Sequence, residues 1–212
     1  MKKFILGFIL LAGVLSVNAQ SERYMAAMKK NLAAVDSSAT AQSMLSLSDN
    51  FERIGNAEKS QWLPFYYAAL MQVRYGFMQG DMSGADPIAD RAEKLLNKAD
   101  SIQPKNSEIS CVKAMIATLR MIVNPMQRYM EQGTLIEQNL DAAKEQDATN
   151  PRPYYLKGEN LKNTPAQFGG GCDAAKTVLN TAKEKFASFR PASEIAPNWG
   201  ASRVDMLLNE CK

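Results

Sequence analysis

Residues 92–114 (AEKLLNKADSIQPKNSEISCVKA) and residues 136–158 (IEQNLDAAKEQDATNPRPYYLKG) follow one plan at a spacing of forty-four residues. Ala92, Leu96, Ala99, Asn106, Lys113 and Ala114 correspond to Ile136, Leu140, Ala143, Asn150, Lys157 and Gly158. Each stretch reads as the second helix of one hairpin, a tight turn, and the first helix of the next. Repetition at such a period marks a helical solenoid. One hairpin cannot bury its apolar face alone, so neighbours must stack.

The chain opens MKKFILGFILLAGVLSVNAQ, with Lys2 and Lys3, an apolar stretch from Phe4 to Val14, and small residues at Val17-Asn18-Ala19. This is the plan of a cleavable signal peptide over residues 1–19, cut after Ala19. Its apolar run falls short of the ~20 residues a spanning helix needs, so no stable membrane insertion is expected once it is removed. Residues 20–212 are then one helical-repeat domain, periplasmic or secreted. Basic residues number 25 and acidic residues 22, and the leader takes two of the lysines. The near-neutral remainder carries no footprint for nucleic acid. Histidine is absent, which removes the commonest general base and the commonest transition-metal ligand.

Along the chain, residues 21–35 place apolar side chains at helical spacing, and Thr40 is positioned to cap a second helix that stops at Gly55-Asn56. Residues 62–78 carry Pro64 in a first turn, and a glycine-containing loop over 76–87 follows. A helix over 89–102 ends at Pro104. Residues 107–123 form the most apolar stretch of the mature chain, which predicts a helix buried on most sides. An irregular connection through Gly133 leads to a helix over 134–146. Helices over 153–162, 172–186 and 201–211 complete the chain. No strand-like alternation occurs. The expected architecture is all-α, four hairpins and a closing helix.

The repeat resembles the tetratricopeptide family, whose unit pairs two helices through small residues at fixed places. Ala92 and Ala99 match the second-helix pair, Pro104 the turn proline, and Ala114 the next first-helix site. Ala143 and Gly158 match in the following unit, and Ala175 and Ala182 repeat the seven-residue step. Ile136 and Ala148 depart from the pattern, and the loops within hairpins are longer than the family's short turn. The resemblance covers about residues 60–190 and looks like a small exported bacterial member. It implies a right-handed solenoid that binds a protein or peptide on a concave groove, with no catalytic residues. In the family's geometry that groove receives Tyr66, Arg74, Arg152, Tyr155, Glu159 and Lys162.

The expected function is therefore that of an exported, non-enzymatic binding or scaffold protein. The alternative is a small-molecule carrier or enzyme with a closed pocket between hairpins. No cofactor, metal site or catalytic residue is expected, and the oligomeric state is left open. The aromatic sets Phe65-Tyr66-Tyr67 and Tyr154-Tyr155 read first as core. Met121, Met126 and Met130 read as core filler rather than a soft-metal site. Gly169-Gly170-Gly171 before a helix reads as a close-packed loop, because the phosphate-cradling GxxxxGK[ST] pattern is not met. Cys172 begins one helix and Cys211 ends the last. Rises of about 21 Å and about 18 Å would bring both to one end of an antiparallel pair, which predicts a disulfide. Cys111 is expected to remain a free buried thiol.

Overall fold

The computed structural model describes residues 22–35, 37 and 40–212. The expected signal peptide and its cleavage site lie outside them. The helices are α1 (residues 22–35), α2 (Ala41–Ala57), α3 (Trp62–Phe77), α4 (Ala85–Ile102), α5 (Ser107–Met121), α6 (Pro125–Gln146), α7 (Arg152–Asn163), α8 (Cys172–Ser188) and α9 (Ala201–Glu210). Short 3-10 turns lie at Met82–Gly84 and Ala166–Phe168. No strand occurs among the described residues, so the chain is all-α.

Local chemistry sets the helix starts. The Thr40 hydroxyl accepts the Ser43 N–H at 3.1 Å, and the Ser43 side chain closes a capping box. Asn106 caps α5 through Glu108 N–H at 2.9 Å. Asn124 caps α6, with Pro125 in its first turn where no N–H is needed.

Three glycines expected at a helix stop (Gly55), in a loop (Gly76) and in an irregular connection (Gly133) lie inside helices instead. Gly55 sits in α2, Gly76 in α3 and Gly133 in α6. At Gly55 the reason is close approach, since an added Cβ would meet the Phe65 ring at 2.7 Å. The absent side chain lets the ring lie on the helix backbone, and packing overrides the low helix propensity of glycine.

Consecutive helices pack on one another, with α5 on α6, α3 on α2 and α4, and α7 on α8 as the largest contacts. The small residues of the repeat sit at these contacts. Ala92, Ala99, Ala114, Ala143, Ala175 and Ala182 are buried, and the Leu179 side chain occupies the place of a side chain at Gly158. One continuous apolar core runs from Tyr24 to Leu207. Cys172 and Cys211 are disulfide-bonded, joining the start of α8 to the end of α9. Cys111 is buried and unbridged, and burial pushes its thiol pKa well up. No helix among the described residues is long and apolar enough to cross a membrane.

Between α8 and α9, residues 189–200 run without regular structure over α3 and α7. The Tyr67 hydroxyl donates to the Ile195 carbonyl at 2.9 Å, and the Trp199 indole N–H donates to the Tyr66 hydroxyl at 2.8 Å. Arg152 donates to the Pro197 carbonyl at 2.7 Å. The Tyr67 and Arg152 bonds use backbone carbonyls that a non-helical segment would otherwise leave unpaired.

Candidate functional site

The six residues expected to line a groove are divided by that segment. Tyr66 and Arg152 are completely buried beneath it. Arg152 is sandwiched against the rings of Phe189 and Trp199, its guanidinium 4.8 Å and 5.2 Å from their centroids. Glu108 faces it at 2.8 Å and also accepts from Tyr66 at 3.1 Å and Asn150 at 2.8 Å. Burial pushes the Glu108 carboxyl above the usual carboxylate range, against the opposing pull of Arg152 and these hydrogen bonds. This cluster ties α3, α5, α7 and residues 189–200 together.

Of the other four, Arg74, Glu159 and Lys162 are partly exposed and Tyr155 is buried beside them. Arg74 stacks on Trp199 at 5.6 Å, and Arg74 and Tyr155 line an opening of about 710 Å³ between α1, α3, α7 and the start of α9. Glu159 accepts from the Tyr155 hydroxyl at 2.8 Å and from Arg203 at 2.9 Å. Burial, reinforced by Glu159, drives the Tyr155 hydroxyl far above its ordinary pKa, so it stays a donor. Lys162 pairs with Glu210 at 2.6 Å.

A second concavity lies elsewhere. α6 has 22 residues and α7 has 12. At 1.5 Å per residue these are about 33 Å and about 18 Å long, so the first turns of α6 project past α7. Met126, Tyr129, Met130, Gly133, Thr134 and Glu137 recur along one α6 face at helical spacing. Opposite them stand Lys157, Asn160 and Leu161 of α7, Thr164 just past its end, and Phe168 from the following turn. The cleft between holds about 590 Å³ and continues into an apolar recess of about 300 Å³ floored by Met121, Pro125 and Pro165. These volumes lie in the ~300–1,000 Å³ range of small-molecule sites.

The walls of this cleft are apolar yet uncovered. Met126 is 88% exposed, Met130 79%, Phe168 61% and Tyr129 50%. Large apolar side chains gathered at one surface concavity mark a binding site more often than chance. Met126 and Met130 are therefore not core filler, whereas Met121 packs partly against the core. Gly133 keeps the middle of the α6 wall flat, because an added Cβ would meet only the Tyr129 ring, at 3.8 Å. The far end is polar, where Lys157 binds Glu137 at 2.5 Å and Lys144 holds Asp141 at 2.9 Å.

The glycine loop serves the same cleft. Gly169 and Gly171 adopt φ of 82° and 90°, and Gly171 N–H donates to the Leu161 carbonyl at 2.9 Å. This turn carries Phe168 to the cleft edge. Among the described residues, no group of three or more His, Cys, Asp or Glu side chains is placed to hold a metal ion.

No protein-family profile matches the chain, and none of the curated protein sequences matches it. A solved structure does: the HusA haemophore from Porphyromonas gingivalis, with 35% sequence identity and a TM-score of 0.80. The match covers 89% of this chain and 92% of that one. It overturns the expectation of a scaffold for a protein or peptide partner, since the matched protein is a haemophore. The inner face assigned to such a partner is also occupied by the chain's own residues 189–200. With identity and coverage at this level along nearly the whole length of both proteins, the chain belongs to the HusA haemophore family.

Proposed function

We propose that the protein is an exported carrier of haem and takes the porphyrin into the cleft between α6 and α7. The observation that carries this reading is the gathering of Met126, Tyr129, Met130 and Phe168, exposed, around one concavity. A flat apolar macrocycle suits such walls, because ring faces pack on Tyr129 and Phe168 and thioethers adapt to an irregular edge. The chain has no histidine, so apolar contact rather than an imidazole–iron bond supplies most of the hold. Tyr129, Met121, Met126 and Met130 are side chains of ligand type within the cleft. Family membership with a haemophore supports the same cargo.

Export is supported by the leader pattern and by the disulfide, which needs an oxidising compartment. We read the helical array as a tetratricopeptide-like right-handed solenoid of four hairpins and a capping helix. The buried alanines at the repeat positions support that reading.

The opening beside Arg74, Tyr155 and Trp199 is the second place where a flat ligand fits, favoured by the edge-to-face pair of Tyr155 and Trp199 at 6.1 Å. Titration of iron(III) protoporphyrin IX, followed by its visible absorption, tests both readings. Phe168→Glu and Met130→Glu put a charge into the apolar cleft and should each weaken binding about tenfold or more, about 1.4 kcal/mol. Retained affinity in both variants, with loss in Tyr155→Ala, moves the site to the other opening. No saturable binding by the parent protein rejects the carrier reading.

A further inference from the structure

The cleft between α6 and α7 has two chemically different ends. Met121, Pro125, Met126, Tyr129, Met130 and Phe168 form the apolar end. Glu137, Gln138, Asp141, Lys157 and Asn160 form the other. We infer that the polar end reads carboxylates, with Lys157 as the specificity-determining cation, so that the cleft selects tetrapyrrole free acids over their esters. This inference rests on the porphyrin reading of the same cleft and adds the orientation of the ligand and its chemical class.

Three donors line this end. Lys157 Nζ stands on the α7 wall, and the side-chain amides of Gln138 and Asn160 engage no protein group among the described residues. Two carboxylates share this end, and each is already committed to a cation. Asp141 is held by Lys144 at 2.9 Å, and its side chain is largely exposed. Glu137 holds Lys157 at 2.5 Å, but its own side chain is 46% exposed against 28% for the lysine. The more exposed partner of a surface pair gives up little on turning into water. An incoming carboxylate therefore displaces Glu137, while Lys157 stays where the stem of its side chain packs along the cleft wall. The lysine is a compact charge with three donors, which accepts a carboxylate from a range of directions.

A tetrapyrrole with its ring on Tyr129 and Phe168 then lies with the carboxylate-bearing edge toward Lys157 and Asn160. Its hydrocarbon edge enters the recess at Met126. Glu137 acts as a stand-in for the ligand carboxylate, and its removal should help the free acid rather than hinder it.

The test compares iron(III) protoporphyrin IX with its dimethyl ester in absorbance titrations of the full chain. The parent protein should bind the free acid about tenfold more tightly than the ester. Lys157→Met should lower free-acid affinity about tenfold and leave the ester unchanged, which also serves as the control that the cleft remains intact. Glu137→Gln should raise free-acid affinity about threefold. Equal binding of acid and ester by the parent overturns the inference and leaves the haem-carrier reading standing. Equal loss of both ligands in Lys157→Met does the same. If the parent binds neither ligand, both readings fall together.

Discussion

Trp199 gives its indole N–H to the hydroxyl of Tyr66 at 2.8 Å, linking residues 133 positions apart. Tyr66 passes the chain of hydrogen bonds to Glu108, and Glu108 closes on Arg152. Arg152 returns to residues 189–200 through the Pro197 carbonyl. The cluster forms a ring of contacts in which both terminal guanidinium nitrogens of Arg152 are held and only its Nε lacks a partner among the described residues, a low-dielectric arrangement that fixes geometry strongly.

Removing one member leaves the others stranded. Arg152→Met deprives Glu108 of its counter-ion while keeping most of the side-chain volume, and should destabilise by about 3–5 kcal/mol. Adding Glu108→Gln to that variant should recover part of the loss. Chemical denaturation of the two variants checks this, and equal stability of Arg152→Met and the parent would refute the role of the pair.

The same cluster gives a pH dependence of definite sign. Glu108 has its pKa raised in the folded protein by burial, above the value it has in the unfolded chain. Its contribution is fully present below the unfolded pKa and is lost as pH rises through the folded one. Folding free energy measured across the carboxylate range should therefore carry a component that falls with rising pH. Glu108→Gln should remove that component, and an unchanged profile would count against it.

Gly133 separates helix propensity from ligand space. Gly133→Ala should stabilise the protein by about 0.5–1 kcal/mol and keep porphyrin binding, because the added methyl has room. Gly133→Leu should leave helix content unchanged by circular dichroism and weaken binding, because its branched side chain enters the cleft. Full affinity in Gly133→Leu would place the ligand elsewhere.

Lys105, in the turn between α4 and α5, has φ of 57°, a conformation that disfavours side chains with a Cβ. Lys105→Gly should raise stability by up to about 1 kcal/mol, since relief of that strain exceeds the added freedom of the unfolded chain. A lower melting temperature would show that the lysine side chain contributes more than its backbone costs.

Close packing of the repeat gives the last test. Ala99 is fully buried where α4 meets its neighbours, and Ala99→Leu should destabilise by roughly 1–3 kcal/mol through overpacking. Melting curves of this variant and the parent should differ clearly.

The helices could be read from the sequence wherever their signals are local. The seven-residue alanine steps, the Thr40 cap and the cysteines at two helix ends all express short-range constraints. Gly55 and Gly133 misled because their propensity favours a break, whereas a ring from another helix and an open cleft explain their presence. Tyr66 and Arg152 fall at groove positions in the repeat pattern, and nothing local reports the return of residues 189–200 over them. Met126 and Met130 have the spacing of a core stripe. Their exposure follows from the difference in length between α6 and α7, which leaves them uncovered by any described element.

The bond between Cys172 and Cys211 encloses residues 189–200 within a covalent ring. Within the irregular segment between α8 and α9, residues 192–194 are exposed and open to a protease. A single cut inside the ring would leave both pieces joined through sulfur, as one band before reduction and two after it. The nicked protein would keep α9 tethered beside α8, so a cut in this connection need not release its end.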